Sequence, residues 1–464
     1  MDQYLQNILS HEQRRQQYEL EMIASENYVS PDVMAAYANV FTNKYAEGYP
    51  GARYYGWQEY VDELERLTQH RALRLFGLLA RDTHKNWGGV AFDESTAVED
   101  SETIIRELAG STWAVNVQPL SWWPANVSVY IGLLQPGDTV LAMDLSAGGH
   151  LSHGHKRNVS SMYYRFVWYG VRPDTYEIDY EQVREKALVE KPAMIIAWFS
   201  AYVCDVDWGR FASIADEVEK VHWYRPVLMA DIAHIAWLIV GDILQWPFEK
   251  FDVVTTTTHK TLRGPRGALI YVRKWLWIRK DWVEYDREKC INSGVFPGLQ
   301  WWPHVHVIFA KAVAFFEALQ PSFAQYAACV VKNAQSLASG LVDCGRHVLT
   351  GTTQNHIVLF DVTKRLVDGV WIETGLTWKI AERVLEDIGI SVNKNMLPFD
   401  ARSPMDPSWM RLWTPALTTR GMWIHEVTAI VEIMNKALQN HDDTSVIVAC
   451  QQQVRLLCEK FPVA

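Results

Sequence analysis

Short apolar runs at residues 139–143, 193–197, 227–230, 251–254 and 268–272 alternate with segments of helical patterning. Strands joined through helices imply a largely parallel α/β sheet, and in such sheets ligands sit at the carboxyl ends of the strands. Asp231, His234, His259 and Lys260 all fall just past such ends. Beyond residue 280 the pattern changes. Helical regions at 304–318 and 323–342, a strand at 356–362 and helices at 376–388 and 424–439 predict a second, smaller α/β domain. Upstream, Ser30-Pro31-Asp32 marks a helix start, with a serine cap and proline in first position. Residues 58–76 read as an amphipathic helix with Val61, Leu64 and Leu67 on one side. A chain of 464 residues has room for a large core and a second domain.

Composition narrows the class. The net charge is −10 and no block of Lys or Arg stands out, so neither nucleic acid nor a membrane is expected as a main partner. Residues 1–20 are polar and rich in Gln and Glu, unlike a basic-then-apolar leader, and no apolar stretch reaches membrane-spanning length. The six cysteines (204, 290, 329, 344, 450 and 458) form no CxxC pair and no metal spacing, as suits a reducing compartment. The expectation is a soluble cytoplasmic protein without a metal site.

Five strings carry chemistry. Residues 253–267 read Val-Val-Thr-Thr-Thr-Thr-His-Lys-Thr-Leu-Arg-Gly-Pro-Arg-Gly. A lysine at a strand end among hydroxyls suits an amine held to form a Schiff base, with the threonines and Arg263 near an anionic group. The same string also suits a strand edge with a solvated lysine. Asp231, in Met-Ala-Asp-Ile-Ala-His-Ile-Ala (229–236), can pair with a protonated pyridine nitrogen or cap the next helix. Gly148-Gly149-His150-Leu151-Ser152-His153-Gly154 holds two histidines with no carboxylate at metal-ligand spacing. Residues 43–56 pack Glu47 among tyrosines and glycines, where a carboxyl should have a raised pKa and could shuttle protons. Arg411, in Met-Arg-Leu-Trp-Thr-Pro (410–415), can clamp a carboxylate in a bidentate fork or lie on the surface.

Together these strings resemble the serine hydroxymethyltransferase family, from about residue 19 to 440. The resemblance implies a pyridoxal-phosphate-dependent, aminotransferase-like α/β fold (fold type I). It implies an N-terminal arm at 1–55 that contributes to the dimer and active site, a large mainly parallel-sheet domain at 56–280, and a small C-terminal α/β domain at 281–464. In the family's pattern Lys260 carries the pyridoxal phosphate, Asp231 pairs with its ring nitrogen, His150 stacks on the ring and His234 contacts its phenolic oxygen. Ser200 and His259 lie close to the cofactor, and Ser121 with positions 122 and 123 forms the turn that cradles its phosphate. Position 302 reaches the neighbouring subunit's phosphate. Glu47 is the acid/base, Tyr45 and Tyr55 line the site, Ser25 helps hold the substrate and Arg411 clamps its carboxylate. The implied reaction interconverts serine and glycine with tetrahydrofolate as co-substrate, in a homodimer or tetramer. A folate-independent β-hydroxy amino-acid aldolase of the same fold is one rival, and a non-catalytic scaffold is another.

Two departures stand out. Residues 78–112, acidic in places (Asp93, Glu94, Glu99, Asp100, Glu102), have no counterpart in the family pattern and are expected to form a surface insertion of unassigned role. Moreover, Trp57, Trp122, Trp198, Trp237, Trp301, Trp302, Trp409 and Trp413 stand where the family has glycine, and Leu120 where it has His or Tyr. The chain has 26 glycines in 464 residues, about 5.6%; restoring these eight gives 34 of 464, about 7.3%, near the usual roughly 7%. Neighbouring motif residues survive intact. The expectation is a UGA codon that means glycine in the source and was translated as tryptophan, with Trp113 and Trp208 as genuine tryptophans. The competing account is a decayed relative.

Overall fold

The computed structural model describes residues 2–79, 100–198, 200–274, 276–278, 284–403 and 405–463. Its larger sheet has seven strands: β1 (Trp113–Asn116), β2 (Thr139–Met143), β3 (Arg165–Tyr169), β4 (Met194–Trp198), β5 (Val227–Asp231), β6 (Val253–Thr257) and β7 (Ala268–Arg273). Their order across the sheet is β1-β7-β6-β5-β4-β2-β3. Strands β2 to β6 pair in parallel, and β7 runs antiparallel to both β6 and β1. Helices cover both faces, so the central strands are buried throughout, as their unbroken apolar runs require.

The five apolar runs correspond to β2, β4, β5, β6 and β7. Strand β6 lies further along than the run at 251–254, because Thr255, Thr256 and Thr257 are buried β-branched residues that continue the ladder. Two strands escaped the pattern. Strand β1 has only four residues, and β3 is an edge strand with exposed and half-buried positions.

The smaller sheet comprises β8 (Arg346–Val348), β9 (Ile357–Val367), β10 (Val370–Glu373), β11 (Asn393–Asn395) and β12 (Trp409–Trp413). Its order is β8-β9-β12-β11, with β10 paired to β9. Helices Trp378–Asp387 and Ile424–Gln439 turn their buried faces to it. The N-terminal segment also belongs here: Leu20–Glu21 pairs in parallel with Ile390–Ser391, and Leu20 and Met22 join the small core. Residues just past 280 pack the other way, since Ile291, Val295, Val305, Ile308 and Phe315 lie in cores of the larger sheet. One helix, Pro321–Asp343, serves both cores. Phe323, Ala327 and Val330 face the larger, and Ala334, Leu337 and Leu341 the smaller.

Most of the expected insertion, residues 80–99, lies outside the described residues. Its flanks are packed rather than loose. Leu78 and Leu79 are buried, and the Asp100-capped helix Ser101–Gly110 buries Ile104. Glu107 of that helix meets the buried His70 at 2.7 Å. Near the N-terminus, Ser30 Oγ accepts the Val33 N–H and caps helix Pro31–Ala36, as its sequence predicts.

Candidate active site

Carboxyl ends of the parallel strands deliver the chemistry-bearing residues to one place. Asp231 is the last residue of β5, Lys260 follows the end of β6, Ser200 follows β4, and His150 lies on the Gly148–Gly149 turn after β2. That turn is held by sterics: Gly148 has φ +106°, and a Cβ on Gly149 would sit 2.4 Å from the Met143 carbonyl oxygen.

Lys260 is 2% exposed, and its Nζ has no hydrogen-bond partner. Burial pushes its amine down to about 7, with Asp231 opposing that shift and Arg411 reinforcing it. Its carbonyl accepts Asn27 Nδ2 at 3.0 Å, which ties the N-terminal arm to the lysine loop. The threonines do not serve as expected. Thr255 Oγ1 donates to Asn126 Oδ1, Thr256 and Thr257 to backbone carbonyls, and Thr258 to the Pro265 carbonyl. All four are buried and bonded within the fold, so they do not offer hydroxyls to an anionic group. Their role is to fix the loop that carries Lys260.

Asp231 sits in a bonded socket. Its Oδ2 accepts Asn126 Nδ2 at 2.8 Å and lies 3.4 Å from His153 Nε2, while Oδ1 accepts the Ala233 N–H at 3.1 Å. His153 in turn meets the Tyr130 hydroxyl through Nδ1 at 2.5 Å. Asn126, His153 and Tyr130 are site residues that sequence reasoning missed. Only the His150/His153 spacing could have signalled one of them.

His150 and His234 stay neutral: burial pulls His150 down to about 2 and His234 well below the ordinary imidazole range. His356, fully buried and with neither ring nitrogen partnered, stacks near His234 at 6.2 Å between centroids. His259 is likewise lowered by burial, to about 3. Arg411 projects from the middle of β12 and donates to the Ser200 carbonyl at 2.6 Å, with longer contacts to Asn393 Oδ1 and the Ala24 carbonyl. Burial lowers it to about 10. Ser25, next to Ala24, has φ +134°. Lys260, Asp231, His150, His234, Ser200 and Arg411 are thus gathered where the two sheets meet.

The gap between them is filled. Trp122 begins helix Trp122–Leu133, with Ser121 as its N-cap residue, and turns its indole inward. Its Nε1 donates to Asp231 Oδ2 at 2.5 Å, its ring lies 3.7 Å from the His150 ring at 31°, and Lys260 Nζ stands 3.6 Å from its centroid. Trp198 backs it at 4.5 Å. Trp123, by contrast, is exposed.

A second cluster stays apart. Tyr55 Oη donates to Glu47 Oε2 at 3.4 Å, and the Tyr45 ring packs on Tyr55 at 5.6 Å and on Trp302 at 4.4 Å. Among the described residues no hydrogen bond, ion pair or ring contact joins this group directly to Lys260, Asp231 or His150. Tyr45, Tyr55 and Trp302 are exposed.

Comparison with known proteins bears on this arrangement. The family model for serine hydroxymethyltransferase matches residues 1–90 and 87–434. The two matches meet inside the segment expected as an insertion. A protein named serine hydroxymethyltransferase from Synechococcus sp. is 44% identical over 467 aligned residues, covering 100% of this chain and 96% of its own length. Proteins of the same name from Methylococcus capsulatus (44%, covering 97% of its length) and Alkalilimnicola ehrlichii (43%, covering 96%) align along the whole chain as well.

Proposed function

Because the chain belongs to the serine hydroxymethyltransferase family, we propose that it moves the hydroxymethyl carbon of L-serine to tetrahydrofolate, giving glycine and 5,10-methylenetetrahydrofolate. The observation that carries this reading is the convergence of Lys260, Asp231, His150 and Arg411 on one site. Lys260 supplies an amine that burial lowers to about 7, so that a good part of it is uncharged near neutral pH, the state a nucleophilic lysine needs. Arg411 offers a fixed guanidinium for the amino-acid carboxylate, and its pairing with a carbonyl rather than an acid leaves its charge uncompensated for that purpose.

Pyridoxal phosphate is the group this set of residues is suited to, through the Lys260 amine and the Asp231 carboxylate. The chain as written does not fit it. A pyridine ring stacked on His150, bonded to Asp231 and within reach of Lys260 would overlap the indole of Trp122, which holds all three positions. The reading therefore applies to the protein with that place open.

We further propose that a second copy completes the site. Tyr45 and Tyr55 sit on an exposed aromatic face with Tyr54, Trp57 and Trp302, and the buried Glu47 lies beneath Tyr55. Helix Gln3–Tyr18 buries none of its residues and exposes Tyr4, Leu5, Ile8 and Leu9, a stripe that a partner subunit would cover. Six cysteines with no CxxC pair among them suit a cytoplasmic enzyme.

Serine cleavage by a chain with glycine at position 122 and the other seven sites, measured with and without tetrahydrofolate, tests the function. Cleavage only with the folate supports it. Equal rates without folate indicate an aldolase, and no cleavage under either condition indicates a scaffold.

A further inference from the structure

Eight tryptophans stand where the family resemblance implies glycine, and the structure shows how poorly some of those indoles are accommodated. Trp198, Trp237 and Trp413 are among the largest fully buried side chains, and the indole N–H of each has no partner. The buried Trp208 and Trp378 and the half-buried Trp246 are satisfied. Trp208 Nε1 donates to the Gln245 carbonyl, Trp246 to the Phe76 carbonyl and Trp378 to the Met405 carbonyl, each at 3.1 Å. Native folds rarely strand a buried donor, since each one costs about 1–3 kcal/mol. Three stranded donors therefore amount to a substantial share of a net stability of roughly 5–15 kcal/mol. Trp198, Trp237 and Trp413 thus differ physically from Trp208, Trp246 and Trp378.

The backbone adds a second mark. Trp57 (φ +57°) and Trp223 (φ +64°) hold left-handed conformations. Trp223 directly follows helix Trp208–His222 at the left-handed closing position, where glycine is the preferred residue, and is 77% exposed. Its indole gains nothing from packing that would offset about 1–2 kcal/mol of backbone cost. Trp223 was not among the eight positions, and its conformation places it with them.

Trp122 supplies the third. Its indole meets the same three side chains that the proposed function assigns to the cofactor's ring: a closely packed His150, a hydrogen-bonded Asp231 and a nearby Lys260 Nζ. A site built for a flat aromatic ring with one N–H has taken in the nearest such ring the chain provides.

We infer that the Trp122 indole sits in the cofactor's seat, and that the working protein carries glycine at nine positions, 57, 122, 198, 223, 237, 301, 302, 409 and 413. UGA codons there are read as glycine in the source and as tryptophan in the chain as written. The identity of the seat rests on the proposed function, whereas the codon assignment does not.

The test is the gene itself, together with peptide masses of the protein isolated from its own cells. The expected result is TGA at the nine positions and TGG at 208, 246 and 378, with glycine masses in the peptides that span the nine. TGG at 122 or 223, or tryptophan masses in those peptides, overturns the inference. Failure of folate-dependent cleavage would leave the codons unchanged, so the two conclusions fall separately.

Discussion

Replacing Trp122 by glycine in the chain as written should lower stability and create cofactor binding in the same molecule. The indole contributes a hydrogen bond to a carboxylate, about 1.5–3 kcal/mol, and an aromatic contact with His150, roughly 0.5–1.5 kcal/mol. Its contact with Lys260 adds about 0.5–2 kcal/mol when the amine is protonated, which near pH 7 is only part of the time. These terms share partners and do not add fully. A net loss of about 3 kcal/mol is therefore expected for Trp122→Gly without ligand. Pyridoxal phosphate at a thousandfold excess over its dissociation constant would restore about 4 kcal/mol. Urea unfolding with and without the cofactor reads both quantities. The parent midpoint should not move with cofactor, and the variant midpoint should start lower and rise to match or pass it. Because Trp198 packs directly behind Trp122, Trp122→Gly/Trp198→Gly should show the larger ligand response. A parent midpoint that rises with cofactor as far as the variant's would refute the reasoning.

Three further outcomes follow from the geometry. Lys260 and Lys311 are both lowered by burial from 10.5 to about 7; between those values the unfolded chain binds protons that the folded chain does not, so stability rises with pH from 7 towards 10.5, by at most about 1.4 kcal/mol per unit per lysine, and Lys260→Met should flatten the slope in urea midpoints taken from pH 7 to 9. Asn126→Ala strips partners from Asp231, Ser152 and Thr255 at once, and calorimetry should show a loss of about 2–3 kcal/mol. In the glycine-restored protein, Lys260→Ala and Glu47→Gln should each be inactive alone and regain serine cleavage when mixed and allowed to exchange subunits; no recovery despite exchange would place Glu47 outside the partner's site.

Much of this was legible because strand ends in a parallel sheet are predictable places. Asp231, His234, His259 and Lys260 could be assigned to one region from their positions after apolar runs, and His150, Ser200 and Arg411 from the resemblance of the strings around them. What could not be read was who satisfies whom. The threonines before Lys260 look like ligand donors in a linear sequence, yet each is bonded within the fold. Asn126 lies mid-helix with no local signal, and its importance comes from facing Asp231 across a gap of 105 residues. The fate of the tryptophans was equally hidden. Sequence marked eight as out of place, but only backbone angles could add Trp223, and only packing could show Trp122 lodged against Lys260.

The helix Pro321–Asp343 carries a mechanical consequence. Its first half is cemented into one core and its second half into the other, with Val331 and Ala334 on either side of the handover and no break between them. Two bodies that share an unbroken rod cannot swing as if joined by a flexible strap. The span between Arg411 on one body and Lys260 on the other is thus set by the pitch of an α-helix. If Arg411 clamps the substrate carboxylate as proposed, a caliper with welded jaws selects amino acids by length before any chemistry begins.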